Sequence, residues 1–285
     1  MARIAIIGLV GKSMFFDVPR FHAGGETVVA KGYYEEWGGK GFNQAVAAAR
    51  QDAAVTFLGA CSAADKAAIE RFCRQEGVAV RLCAKKGPTA CAAIMTDGTG
   101  ETRVTVHPGA ELSPADVDGF AGAIAVADIL LLNNEVPESV NLAAAEIAKR
   151  YGVKVIFNPA PARKLPKAII EAVSLFTPNE FEAEALGEVP CEVVTTLGAK
   201  GCQIRTTGEM IPAPSADAVD STGAGDVFNA VLAVRLAEEE GLRDACAAAN
   251  EAASRSVAVR YVMPSLPRRV IYSLKSDLTK GNRRC

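Results

Sequence analysis

The sequence predicts an α/β fold: a doubly wound, mostly parallel sheet with a small antiparallel β patch inserted into it. Three observations carry this. Short apolar runs alternate with Ala-rich amphipathic stretches along the chain. The runs lack polar alternation, as strands buried on both faces do. Two segments, 25–36 and 89–107, break the pattern with Thr, Gly and β-branched residues, and Asp97-Gly98 is a turn signal inside the second.

In chain order the strand candidates are Ile4–Ile7, Val55–Leu58, Ile129–Leu132, Val153–Phe157, Leu175–Thr177 and Val193–Thr196. Between them, Asn43–Arg50, Ser139–Tyr151 and Asp226–Glu240 carry helical periodicity, and Gly241 is placed to end the last. The basic end, Lys275–Cys285, is expected to fray.

Composition narrows the class. Hydrophobic residues make up 49% and charged residues 22% of the 285, which excludes global disorder. Lys+Arg 31 against Asp+Glu 33 leaves a formal charge of -2, which argues against a nucleic-acid partner while leaving room for a small anion held locally. The eight cysteines contain no Cys-x-x-Cys and mostly lie among Ala, Val and Ile, as reduced structural thiols do. With only His22 and His107 present, a Cys/His zinc site is not expected. The opening run Ile4–Ile7 is too short for a signal-peptide core or a membrane span, so a soluble cytoplasmic protein with no membrane partner is expected.

Three glycine clusters carry chemistry, and a fourth is a decoy. Gly8-Leu9-Val10-Gly11-Lys12-Ser13 has two residues between its glycines where a phosphate loop needs four, so it reads as a tight turn lining a pocket. Gly38-Gly39-Lys40-Gly41-Phe42-Asn43 lets a ligand approach bare backbone, with Asn43 capping the following helix or facing a hydroxyl-bearing ligand. Asp220-Ser221-Thr222-Gly223-Ala224-Gly225-Asp226 opens a helix and exposes the amides of Ala224, Gly225 and Asp226 at the positive end of its dipole. Asp226 either stabilises that helix end or, beside an anion hole, serves as a general base. Thr196-Leu197-Gly198-Ala199-Lys200-Gly201 suits a nucleotide-packing turn or a plain hairpin.

Together these motifs resemble the ribokinase branch of the PfkB carbohydrate kinase family. Gly38–Ala45 is similar to its first signature and Asp220–Asn229 to its second, with Asn158–Arg163, Pro178-Asn179-Glu180-Phe181-Glu182 and the Thr196–Gly201 turn between them in family order. The resemblance covers nearly the whole chain. It implies one three-layer α/β/α ribokinase-like domain over 1–285, with 25–36 and 89–107 as a β lid. It also implies ATP-dependent phosphorylation of a sugar hydroxymethyl group. Asp226 would be the base, with the amides of Gly223, Ala224 and Gly225 as anion hole. Gly39, Lys40, Asn43 and Glu135 would contact the sugar, and Ser13 would border the same cleft. Asn179, Thr196, Gly198, Gly201 and Asn250 would serve the nucleotide, and Glu182 would serve Mg²⁺ through water. Asp220, with the backbone at 222, would serve a monovalent cation such as K⁺. Pairing of two copies through the lid is also implied.

Three departures accompany the resemblance. Gly11 and Ser13 stand where ribokinases carry Asn-x-Asp, so a carboxylate grip on ribose is missing. Only Leu186–Cys191 separates the Asn-x-x-Glu helix from the next strand. The stretch Val262-Met263-Pro264-Ser265 is about two residues short of the cation-site pattern. The nearest rival is a nucleoside kinase, with Phe15, Phe16 and Trp37 stacking a base. A non-catalytic sugar or nucleotide sensor is the alternative from another class, opposed by Asp226, Asn179 and Glu182.

Overall fold

In the computed structural model the sheet is built outward from β1 (Arg3–Ile7), whose side chains alternate between two cores. Ile4 and Ile6 enter one helix layer, Ala5 and Ile7 the other. That is why the run shows no polar alternation. The structure describes residues 1–270; the tail Lys275–Cys285 lies outside them.

After β1 come β2 (Gly11–Asp17), β3 (Gly32–Gly38), α1 (Lys40–Ala49), β4 (Ala54–Ser62), α2 (Ala63–Gln75) and β5 (Val78–Lys85). Then follow β6 (Ala90–Thr96), β7 (Thr102–His107), α3 (Pro114–Asp118), α4 (Ala121–Ala125), β8 (Ile129–Asn133) and α5 (Glu138–Tyr151). Next are β9 (Lys154–Asn158), α6 (Lys167–Ala172), β10 (Leu175–Phe176), α7 (Glu180–Leu186) and β11 (Glu192–Thr196). The described chain closes with β12 (Cys202–Ile204), β13 (Met210–Ile211), α8 (Ala224–Ala237), α9 (Leu242–Ser256) and α10 (Val262–Ser265).

The nine-stranded sheet runs β13-β12-β11-β10-β9-β8-β1-β4-β5 and is parallel except at β12 and β13. Helices α1, α2, α8 and α9 pack on one face and α3 to α6 on the other, giving three layers. A second sheet, β3-β2-β6-β7, forms the lid. Its register pairs Ser13 with Glu36 and with Ala92.

The structure corrects three boundaries. The first lid segment is not strand over 25–36. Strand begins at Gly32, and the missing partner is β2, hidden in the Gly8–Ser13 cluster that reads as a turn. The last of the expected helices runs Ala224–Ala237 rather than 226–240; Glu239 then takes a positive φ, and Gly241 begins α9 instead of ending α8. Asn43 is not a cap: α1 starts at Lys40 behind Gly39, so Asn43 is its fourth residue and is buried.

Candidate active site

Two helix starts and the carboxyl ends of the parallel strands meet at one place, where an α/β sheet presents ligand contacts. α8 begins at Gly223 and carries Asp226 in its first turn. α1 packs beside it with residues 41–48 buried, so its polar residues Asn43 and Gln44 face the interior. Asn43 Nδ2 donates to Asp226 Oδ2 at 2.8 Å and Gln44 Nε2 donates to Oδ1 at 3.0 Å. Asp226 is 6% exposed. Burial pushes its carboxyl above the ordinary aspartate range, while the Lys40 ammonium and the two amide donors pull back. A carboxylate so held is a better base than an exposed one yet stays ionisable.

Behind this pair lies a polar network that sequence reasoning missed. Gln44 also reaches Asn158 Oδ1 at 3.4 Å, and Asn158 Nδ2 donates to the Thr177 carbonyl at 3.2 Å. Thr177 Oγ1 in turn donates to Asn229. Gln44 lies inside the quoted motif, but nothing in one sequence distinguishes it from a helix-surface glutamine; only the packing of α1 into the core does.

Glu135 follows β8, and its Oε2 accepts the Lys40 backbone N–H at 2.6 Å. The turn is fixed by Asn133 Oδ1, which accepts the Glu135 N–H at 3.0 Å, and by Asn134 Nδ2, which donates to the Pro161 carbonyl at 3.0 Å. Burial pushes the Glu135 carboxyl up to about 7, with Lys40 opposing and Asp226 adding to the rise. The Lys40 ammonium is held charged chiefly by Asp226, against burial, with Glu135 and Glu182 contributing. Its charge is therefore felt by the expected base, the expected sugar contact and the expected metal contact.

Four of the five expected nucleotide residues converge. Thr196, Gly198, Gly201 and Asn250 line one cavity of about 470 Å³ together with Ala224 and Gly225 of the α8 start. Phe228, Ala253 and the loop residues Pro214 and Ala216 complete a mainly apolar wall suited to a planar base. The short Leu186–Cys191 connection thus leaves a nucleotide-sized cavity. Asn250 works as scaffold: its Nδ2 donates to the Ile211 carbonyl at 2.9 Å. Among the expected anion-hole amides, Ala224 N–H turns back to the Ser221 carbonyl at 3.2 Å, leaving Gly223 with the first-turn amides of Gly225 and Asp226.

Asn179 and Glu182 form a reciprocal cap on α7: Glu182 N–H donates to Asn179 Oδ1 at 2.8 Å and Asn179 N–H to Glu182 Oε2 at 2.9 Å. Asn179 bridges Thr196 at the strand ends, beside that cavity. Among the described residues no group of three or more His, Cys, Asp or Glu is placed to hold a metal ion. One carboxylate near the expected phosphate site would fit Mg²⁺, which keeps its waters and binds mainly through substrate phosphates. A monovalent cation would find a lone pair free on each carboxylate oxygen of Asp220, whose Oδ1 accepts Thr222 N–H at 2.9 Å and whose Oδ2 accepts Tyr261 N–H at 3.0 Å.

On the sugar side, Ser13, Gly38 and Gly39 line a cavity of about 30 Å³ under the lid. Asn43 Oδ1 is buried without a partner, an acceptor left over for a hydroxyl. Gly11 has a steric reason: a Cβ there would come within 2.6 Å of the Ala90 carbonyl oxygen on the neighbouring strand β6. Phe15 packs edge-on against Tyr261 at 5.1 Å and Phe16 against Tyr33 at 5.2 Å, so these rings are spent inside the lid and its hinge with the body.

Comparison with known proteins agrees with this geometry. The model of the "pfkB family carbohydrate kinase" matches residues 1–269. The chain belongs to the PfkB carbohydrate kinase family. This kinase is 34% identical to a ribokinase of Haemophilus influenzae over 93% of its own length and 95% of the relative's. It superposes on ribokinase of Thermotoga maritima with a TM-score of 0.85 at 31% identity, covering 94% of this chain and 97% of that one. An Arabidopsis thaliana ribokinase complexed with ribose and ATP gives 0.83 at 28% identity, covering 94% and 96%. The kinase is thus of the ribokinase branch. Among the described residues no helix is long and apolar enough to cross a membrane.

Proposed function

We propose that this kinase transfers the γ-phosphoryl group of ATP to the hydroxymethyl group of a small free sugar, with Asp226 as general base. The observation that carries the reading is a single buried carboxylate, oriented by Asn43 and Gln44, in the first turn of the helix whose start walls the 470 Å³ cavity. The nucleotide's base and ribose occupy that cavity, and its phosphates point to the α8 start. Asp226 takes the hydroxyl proton; the sugar oxygen bonds to the γ-phosphorus while the bond to the bridging oxygen breaks, and ADP departs. The amides of Gly223, Gly225 and Asp226 and the Lys40 ammonium carry the charge of the transferring group. Glu182 would hold Mg²⁺ through water, and the ion, when bound, would supply neutralisation of the phosphate charge.

Glu135, Asn43 and Ser13 receive the sugar. The 30 Å³ space under the lid holds only a water or two, so a sugar enters with the lid displaced, and its return excludes water from the transfer. Pairing of two copies through the lid would cover Val104 and Val106, which are exposed on the lid face that Ser13 shares, and the protein works in the cytoplasm. Of the rings that would stack a nucleobase, Phe15 is already packed against Tyr261 and Phe16 against Tyr33, which favours a free sugar over a nucleoside. ADP release over a panel of pentoses, hexoses and nucleosides tests this. Turnover of a free sugar is expected; turnover of nucleosides alone, or of nothing in the panel, would refute it.

A further inference from the structure

The segment between α9 and α10 joins the lid to the phosphate end of the site. Glu36, on lid strand β3, is 8% exposed. Its Oε1 accepts the Val262 N–H and its Oε2 the Met263 N–H, both at 2.9 Å. The preceding amide, Tyr261 N–H, goes to Asp220 Oδ2 at 3.0 Å. Three consecutive amides are thus gripped by two carboxylates, one from the lid and one from the turn that opens α8.

Tyr261 itself is at φ 67°, a region a bulky side chain enters only when its surroundings impose it. Those surroundings come from the lid. The Tyr261 ring stacks on Tyr34 at 4.0 Å and 22°, Phe15 meets its edge, and Arg260 pairs with Asp17 at the end of β2. On the other side, Val262 presses on Gly223. A Cβ at that glycine would lie 2.6 Å from Val262 Cγ1, and Gly223 holds φ +81° as the residue from which α8 and its free amides begin.

We propose that Glu36 is a positioning residue that transmits the state of the lid to the anion hole: it fixes residues 261–263, Val262 fixes Gly223, and Gly223 aims the phosphate-binding amides. With the lid displaced, Glu36 and the Tyr34 stack leave together, Tyr261 loses what holds its conformation, and the anion hole loosens. The phosphate site is then fully assembled only when the lid is down. This rests on the assignment of the α8 start as the phosphate site, but not on Asp226 acting as base. No bond to substrate is made by Glu36.

The single tryptophan, Trp37, adjoins Glu36 on β3 and reads the coupling directly. Titration with Mg²⁺–ATP is expected to shift Trp37 fluorescence in the native chain and in Asp226→Asn, since no proton transfer is involved. Glu36→Gln presents an amide N–H₂ to one backbone N–H; it is expected to weaken ATP binding several-fold while the Trp37 response disappears. Its kcat should fall at least tenfold. Should Glu36→Gln not fold, Tyr34→Leu is expected to lose the response and Tyr34→Phe, which keeps the stack, to retain it. A native Trp37 response in Glu36→Gln or Tyr34→Leu, or a kcat for Glu36→Gln within twofold of native, would overturn the proposal.

Discussion

Glu135 should make sugar affinity rise with pH across neutrality. Its carboxyl sits at about 7 rather than 4.5 because burial, with Asp226, outweighs the Lys40 charge and the Lys40 amide. A sugar hydroxyl donates best to the ionised form. With a pKa near 7, roughly one-tenth of the free enzyme is ionised there at pH 6 and roughly nine-tenths at pH 8, so KM for the sugar should fall about ninefold between them. Stability moves the other way. Between about pH 4.5 and 7 the folded chain holds a proton the unfolded chain has released, so stability declines with rising pH through that window and levels off above it. The full shift corresponds to on the order of 3 kcal/mol. Glu135→Gln removes the ionisation but keeps an oxygen for the Lys40 N–H. It should therefore melt higher than native at pH 8, lose that part of the pH slope, and show a high sugar KM that no longer depends on pH. Initial rates at varied sugar, with thermal unfolding from pH 5 to 9, measure both. A native KM flat across pH 6–8, or a Glu135→Gln profile that keeps the native slope, would refute the assignment of Glu135 to the sugar.

Other consequences follow from the same network. Gln44→Leu removes one of two donors to the buried Asp226 carboxylate, so a loss of about 1–3 kcal/mol in unfolding free energy and at least tenfold in kcat is expected. Lys40→Met leaves Asp226 and Glu135 without their shared cation; kcat should fall about 10²–10³-fold, and the acid limb of the pH–rate profile should move to higher pH as Asp226 loses its stabilising charge.

What the sequence revealed and what it hid have physical explanations. β1, β8 and β9 were readable because strands buried on both faces show up as unbroken apolar runs. The five glycine and asparagine motifs were readable because each answers a local need of backbone or cap. Strand β2 was hidden because Gly8–Ser13 contains two glycines, and its strand character comes from pairing with β3 and β6, which are distant in sequence. The true end of α8 was hidden because Gly241 suits either a helix end or a helix start, and Glu239 supplies the positive φ instead. Gln44, Asn158 and Glu36 could not be singled out, since their roles arise from what meets them across 182, 114 and 226 residues of chain. Asn250 lines the cavity and also braces it through its bond to the Ile211 carbonyl, which only the structure discloses.

The most direct test is the single-turnover rate of Asp226→Asn beside its ATP affinity. The substitution fits the site, because the buried and unpartnered Asn43 Oδ1 and Gln44 Oε1 can swing round to accept from the new amide. Phosphoryl transfer should slow by about 10²–10⁴-fold with the Kd for ATP within twofold of native. A variant that binds ATP normally and still transfers at half the native rate would show that the proton goes elsewhere.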